Sequence, residues 1–204
     1  LDKYFNEESN MSLKHALLGF LNYGGMTGYD LKQCFDQSIQ HFWNANLSQI
    51  YPALSQLEED GLLTMKVEYQ EDRPNRKVYH ITEAGREELR RWLREPMAPQ
   101  LHRHPFLIKV FFGRSIKKEE LLVQLRHNLA LHKDELSAYQ GSVREVLRQS
   151  IEATGLKEDG LFWGLTLEAG IKSTEAWIKW LEEVIQRIEL MEDIPGTNGL
   201  CPKD

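Results

Sequence analysis

Between Asn46 and Gly61 the chain runs Asn-Leu-Ser-Gln-Ile-Tyr-Pro-Ala-Leu-Ser-Gln-Leu-Glu-Glu-Asp-Gly. Leu47, Ile50, Leu54 and Leu57 recur at spacings of three and four, so they form one stripe of a helix that must bury that stripe against a core. Ser48, Gln49, Tyr51, Ser55 and Gln56 fall on the opposite side and carry hydrogen-bonding groups without charge. Such a face suits contact with something polar. Asn46 is placed to cap the helix, because its side-chain oxygen can accept from the first-turn N–H groups, and Gln49 completes a capping box. Gly61 ends the helix. Pro52 removes the bond its nitrogen would donate to the Ser48 carbonyl, which predicts a bend or local tightening.

A chain of 204 residues, 41% hydrophobic and 27% charged, can build one or two real cores around such a helix. No apolar run reaches the ~20 residues needed to cross a bilayer, and no signal-peptide pattern is present, so a cytoplasmic protein is expected. Cys34 lies in a helical pattern and Cys201 in a tail, which suggests neither a disulfide framework nor a metal site. The net charge of −6 argues against a protein that coats nucleic acid non-specifically. Any nucleic-acid contact has to come from a local arrangement of charge.

Residues 1–10 show no period and are expected to be a loose, disordered leader, with Met11 a candidate native start. Ser12 can cap a first helix bearing Ala16, Leu17, Phe20 and Leu21 on one face, ended by Gly24 and Gly25. Thr27-Gly28-Tyr29-Asp30 is a second capping box, opening a helix whose core face is expected at Tyr29, Leu31, Cys34 and Phe35. His41-Phe42-Trp43 supplies aromatic packing ahead of Asn46. After Gly61, Leu63 to Tyr69 alternate apolar and polar as a half-buried strand does, and Val78 to Ile81 give a second strand. The stretch 70–77 between them is a turn-forming loop holding the cations Arg73, Arg76 and Lys77, with Asn75 among them. Thr82 caps a fourth helix carrying Ala84, Leu89, Trp92 and Leu93, stopped by Pro96 and Pro99.

Three helices followed by a hairpin with a basic tip is the layout of a winged helix-turn-helix, whose third helix enters a DNA major groove while the hairpin lies along the backbone. On that layout Asn46, Ser48, Gln49, Tyr51, Ser55 and Gln56 are candidate DNA contacts on the helix, with Ser48, Gln49, Ser55 and Gln56 reading base edges. Arg73, Asn75, Arg76 and Lys77 are the candidates on the wing, the three cations neutralising phosphates. A second reading of the same layout is a winged-helix module that binds protein without direct DNA readout.

The motifs Leu13-Lys14-His15-Ala16-Leu17-Leu18-Gly19, Thr27-Gly28-Tyr29-Asp30-Leu31, Ile50-Tyr51-Pro52-Ala53-Leu54-Ser55-Gln56-Leu57-Glu58 and Tyr79-His80-Ile81-Thr82-Glu83-Ala84-Gly85 resemble, in order and spacing, the PadR family of bacterial transcriptional regulators. His104-Pro105-Phe106-Leu107-Ile108-Lys109 and Gly164-Leu165-Thr166-Leu167-Glu168-Ala169-Gly170 resemble the larger subfamily with a long C-terminal helical domain. The resemblance implies a repressor that acts as a homodimer through its C-terminal helices on a palindromic operator. In some members aromatic residues near the dimer interface bind flat aromatic effectors.

The second half supports a helical domain on its own terms. Leu121, Leu125, Leu129, His132, Leu136, Tyr139, Val143 and Val146 mark one long helix with a narrow seam. Gly155 and Gly160 bracket a break, and a last helix carries Trp163, Leu167, Ile171, Thr174, Trp177, Leu181, Val184, Ile188 and Met191. Seams of this kind need a partner, which predicts a homodimer. Trp163, Trp177 and Trp180 read as interface core or as the stacking surface for an aromatic effector.

The expected architecture is mainly α with a small β-hairpin wing: an N-terminal winged helix-turn-helix over residues 11–95, a linker at 96–104, a C-terminal α-helical dimerisation domain over 105–194, and a tail at 195–204. No catalytic chemistry is legible. His102 and His104 lack a third metal ligand at a recognisable spacing, and no phosphate loop or nucleophile elbow is present. Neither an enzyme nor a bound cofactor or metal is expected.

Overall fold

The computed structural model describes residues 2–39, 42–69, 75–97 and 103–191, with the side chains of the first helix from Ser12 onward. The chain divides into two compact units, Leu1–Ala98 and Pro99–Asp204. The tail at 195–204, Arg73, His102 and Cys201 lie outside the described residues.

In the first unit, helix α1 spans Asp2–Leu21, so the backbone of the expected loose leader is helical and Ser12 lies within the helix rather than capping it. Neither glycine nor proline interrupts the run before Gly19. A two-residue strand β1 (Met26–Thr27) and helix α2 (Gly28–Cys34) follow, the latter tightening into a π turn at Phe35–Ile39. Helix α3 (Leu47–Glu59) remains α-helical through Pro52. Strands β2 (Leu63–Glu68) and β3 (Arg76–Ile81) form the hairpin, and α4 spans Glu83–Arg94. The sheet has the order β1-β3-β2 and is antiparallel throughout, with Met26 opposite Tyr79 and Met65 opposite Tyr79 on its other side.

One core holds these elements. Leu17, Leu18, Leu31, Phe35, Ile50 and Leu54 have no exposed surface, and Leu21, Leu57 and Leu63 are within 2% of it. Fully burying a leucine-sized side chain stabilises a fold by about 1.5–3 kcal/mol, so this cluster dominates the unit's stability. Tyr29 is the exception to the predicted core face of α2, being 67% exposed. At about 100° per residue it lies about 200° around the helix from Leu31. Helix α4 docks on α1 through a ring stack, His15 against Trp92 with centroids 4.6 Å apart and planes 7° from parallel. His15 is buried, and its Nε2 meets Glu88 Oε1 at 3.0 Å.

The second unit contains α5 (Pro105–Phe111), a 3-10 turn (Gly113–Ser115), α6 (Lys118–Ala138), a π turn (Tyr139–Val143), α7 (Arg144–Thr154) and α8 (Lys157–Glu189). The single long helix expected over 117–150 is therefore two α segments joined through a π turn. Gly155 ends α7 in the left-handed region at φ 72°. Gly160 does not bracket the break as expected. It is buried inside α8, where an added Cβ would lie 2.5 Å from Ile151 Cδ1, so its role is close packing of α7 on α8. Leu121, Leu122 and Leu125 of α6 meet Leu181 and Ile185 of α8 in a small core.

Candidate nucleic-acid interface

Helix α3 is set by its cap. Asn46 is extended at φ −107°, its Oδ1 accepts the Gln49 N–H at 3.2 Å, and Gln49 Oε1 accepts the Asn46 N–H at 3.1 Å. Ser48 Oγ also donates to Asn46 Oδ1. Ile50, Ala53, Leu54 and Leu57 are buried, while Leu47 is only partly so. Asn46, Ser48, Gln49, Tyr51, Ser55 and Gln56 are all exposed, so the structure brings every helix candidate onto the solvent side of one element.

Their hydrogen-bonding capacity is unequal. Gln49 has one amide oxygen engaged in the cap and keeps its Nε2 donors, and Gln56 Nε2 donates to Asp60 Oδ1 at 3.0 Å. Among the described residues Ser55 Oγ has no hydrogen bond. Tyr51 lies over the start of α2: a Cβ added to Gly28 would be 2.6 Å from Tyr51 Cε1, so any other residue there would push this ring aside. Burial pushes the Tyr79 phenol up from its ordinary pKa, with Glu58 and Tyr51 adding to the shift.

The wing cations stand differently from the sequence expectation. Arg76 and Lys77 belong to β3 rather than to a loop, and Asn75 is exposed just ahead of them. Arg76 Nη2 donates to Asp30 Oδ2 at 3.2 Å. The Asp30 carboxyl sits below its ordinary pKa: burial opposes ionisation, but hydrogen bonds from Thr27 and the Arg76 charge outweigh it. Lys66 on β2 and Lys77 on β3 are exposed, and among the described residues neither forms an ion pair. Sequence reasoning passed over Lys66, Asp30 as a partner for the wing, and the exposed Tyr29. The strict alternation of β2 already put Lys66 on the solvent side, and helical angle alone separates Tyr29 from Leu31.

Helix α4 is charged but self-neutralised. Arg90 meets Glu83 at 2.8 Å and Glu87 at 2.9 Å, and Arg91 meets Glu88 at 2.7 Å, with Glu95 on its other side. Its arginines are therefore poor candidates for phosphate contact. Bonds from Arg91 and then His15 outweigh the burial of Glu88 and hold its carboxyl at about 2.

In the helical unit, Trp177 and Trp180 meet edge to face at 5.2 Å. The rings of His104 and His132 lie 5.0 Å and 5.8 Å from Trp177. Trp163 is fourteen residues earlier on the same helix, about 21 Å along its axis at ~1.5 Å per residue, so the three tryptophans do not form one surface within a chain. Beside the pair is a polar hub: Glu135 accepts from the Tyr139 hydroxyl at 2.9 Å and the Thr174 hydroxyl at 3.3 Å, and its Oε2 lies 3.2 Å from His132 Nδ1. Burial, then the Glu135 carboxylate, pushes the Tyr139 phenol up to about 12. Among the described residues no group of three or more acidic, His or Cys side chains is placed to hold a metal, and no helix is long and apolar enough to cross a membrane.

Comparison with known proteins covers both units. Residues 17–91 match the transcriptional regulator PadR-like family, and residues 102–189 match the family described as virulence activator alpha C-term. The negative transcriptional regulator PadR of Bacillus subtilis is 30% identical over 178 residues, 87% of this chain and 97% of that protein. Its structure with operator DNA superposes with a TM-score of 0.74 at 30% identity, over 87% of this chain and 99% of that one. Its complex with p-coumaric acid gives a TM-score of 0.70 at 28% identity, over 87% and 98% of the two chains. The virulence activator AphA of Vibrio cholerae gives a TM-score of 0.67 at 29% identity, over 88% and 99%. An exposed uncharged helix face beside a hairpin, carried on a sequence that matches such regulators over most of both units, has one assignment: this chain belongs to the PadR family of transcriptional regulators.

Proposed function

We propose that this regulator recognises a specific DNA sequence as a homodimer, represses transcription from it, and lets go when a small aromatic molecule binds the helical unit. The observation that carries the reading is α3. Its apolar stripe is buried, its opposite face is exposed, and that face offers amide and hydroxyl groups with no Lys or Arg among them. Ser48, Gln49, Ser55 and Gln56 meet base edges, Asn46 fixes the helix start, and the Tyr51 hydroxyl reaches a phosphate or base. On the wing, Asn75 and Lys77, both exposed, are the groups offered to the DNA backbone. The operator-bound state of the Bacillus subtilis relative supports this assignment.

Dimer formation is supported by apolar surface left uncovered in the helical unit. Ile108, Phe111 and Phe112 at α5 are 61%, 71% and 56% exposed, and Leu161, Phe162 and Leu165 on α8 are 64%, 66% and 52% exposed. Exposed apolar patches of this kind mark association sites. Two-fold pairing in turn demands a palindromic site with half-sites about 34 Å apart. For the effector, the Trp177 and Trp180 pair offers the stacking surface, and the p-coumaric acid complex of the relative supports an aromatic acid. Trp163 lies too far along α8 to touch the same ligand in one chain. Transcription places the protein in the bacterial cytoplasm, and the reading assigns it no catalytic step.

Sedimentation of the protein with a labelled promoter duplex tests the reading. One dimer per duplex at low salt, dissociating as salt rises, is expected; protein that stays monomeric and leaves the duplex unshifted would contradict it.

A further inference from the structure

The wing's charge is unevenly engaged. Asp30 Oδ2 accepts from the Thr27 N–H at 2.9 Å and from Thr27 Oγ1 at 2.7 Å, so the capping box of α2 fixes this carboxylate. Onto it comes Arg76 Nη2, 3.2 Å away and from 46 residues further along the chain. Glu68 pairs with Arg76 across the hairpin, on the same pleat face. Lys66 and Lys77, both exposed, have no ion pair among the described residues. Other cations of the unit are engaged too: Lys14 with Asp60 at 3.4 Å, Lys32 with Asp36, and the α4 arginines with that helix's own glutamates.

We propose that Asp30 is a positioning residue that holds Arg76 as a strut between α2 and the wing, while Lys66 and Lys77 carry the wing's phosphate-neutralising charge. The inference rests on the DNA-binding reading above. A phosphate approaching Arg76 meets a guanidinium already compensated by a carboxylate, so its arrival releases little counterion. A phosphate approaching Lys66 or Lys77 meets a full positive charge. The planar fork of an arginine suits it to the strut, because it is held in direction by its hydrogen bonds as a lysine is not. Fixing β3 to α2 sets the angle at which the hairpin leaves the body.

Salt titration of the full chain on a duplex recovered by selection, and on a scrambled duplex of equal length, separates these roles. Arg76→Ala should leave the slope of log K against log salt unchanged, whereas Lys66→Ala and Lys77→Ala should each flatten it by about 0.9 per wing. Asp30→Asn releases Arg76 and should steepen the slope by about 0.9 per wing, an effect of roughly 3-fold in affinity between about 50 and 200 mM salt. It should also lower the ratio of selected to scrambled binding. Adding Arg76→Ala to Asp30→Asn should restore the original slope, and Asp30→Glu should behave as wild type. The inference is overturned if Arg76→Ala flattens the slope as much as Lys77→Ala, or if both lysine variants leave it unchanged. Wild-type protein that binds neither duplex at low salt overturns the DNA reading itself, and this inference with it.

Discussion

Asn46, Ser48 and Gln49 build the cap of α3, and on the proposed reading the same groups also face the DNA. The capping box was legible in the sequence, since an Asn followed three residues later by a Gln before an apolar run leaves few alternatives. Asn46→Ala should therefore lower the unfolding free energy by about 0.5–2 kcal/mol, measured by urea denaturation, even with no DNA present. Gln49→Ala should disturb both the cap and recognition, which makes Ser55 the cleaner probe of readout. The pairing of Arg76 with Asp30 was not legible, because the partners are 46 residues apart and each also fits a purely local role. In the sequence Arg76 looked like a loop cation. The strand register lifts it out of the loop and sets it against α2.

Helix periods were the most readable feature at the scale of elements, and their interruptions were the least. The α6 stripe was correctly placed, but the π turn at Tyr139–Val143 leaves no mark in the apolar spacing. One signal was present: His132 and Thr174 are polar residues on otherwise apolar stripes of α6 and α8, and both converge on Glu135. Between α1 and α4, Glu88 carries a testable pH dependence. Its carboxyl is held at about 2, below the ordinary value near 4.5, so the stabilisation is fully present above about pH 4.5 and is lost as the pH falls toward 2. Unfolding free energy measured between pH 7 and 2 should decline over that window, and Glu88→Gln should flatten the decline. Gly85 offers a steric test. A Cβ there would lie 2.3 Å from the Leu62 carbonyl oxygen, so Gly85→Ala should destabilise the first unit by about 1–3 kcal/mol in the same denaturation assay.

For the whole molecule, the net charge of −6 predicts little non-specific hold on nucleic acid. Among the described residues, cations of the first unit are mostly compensated by neighbouring carboxylates, which on the proposed reading leaves affinity to a few wing charges doubled through a dimer. Phe111→Asp, at a side chain 71% exposed, should weaken self-association by about 2 kcal/mol or more in analytical ultracentrifugation without changing the helix content of the monomer. Operator affinity should fall in parallel. Titration with p-coumaric acid should quench tryptophan emission and release DNA, and Trp177→Phe should abolish the coupling. Unchanged emission with unchanged DNA affinity would remove the effector from the account.

The central claim is that α3 reads sequence through uncharged side chains on a two-fold dimer. Selection of bound duplexes from a random pool, run in parallel with wild type and Ser55→Ala, tests it most directly. The wild type should return a palindrome with half-sites one helical turn apart, and Ser55→Ala should return the same palindrome altered at a single matching position in each half. Recovery of no shared motif, or of identical motifs from both proteins, would contradict the claim.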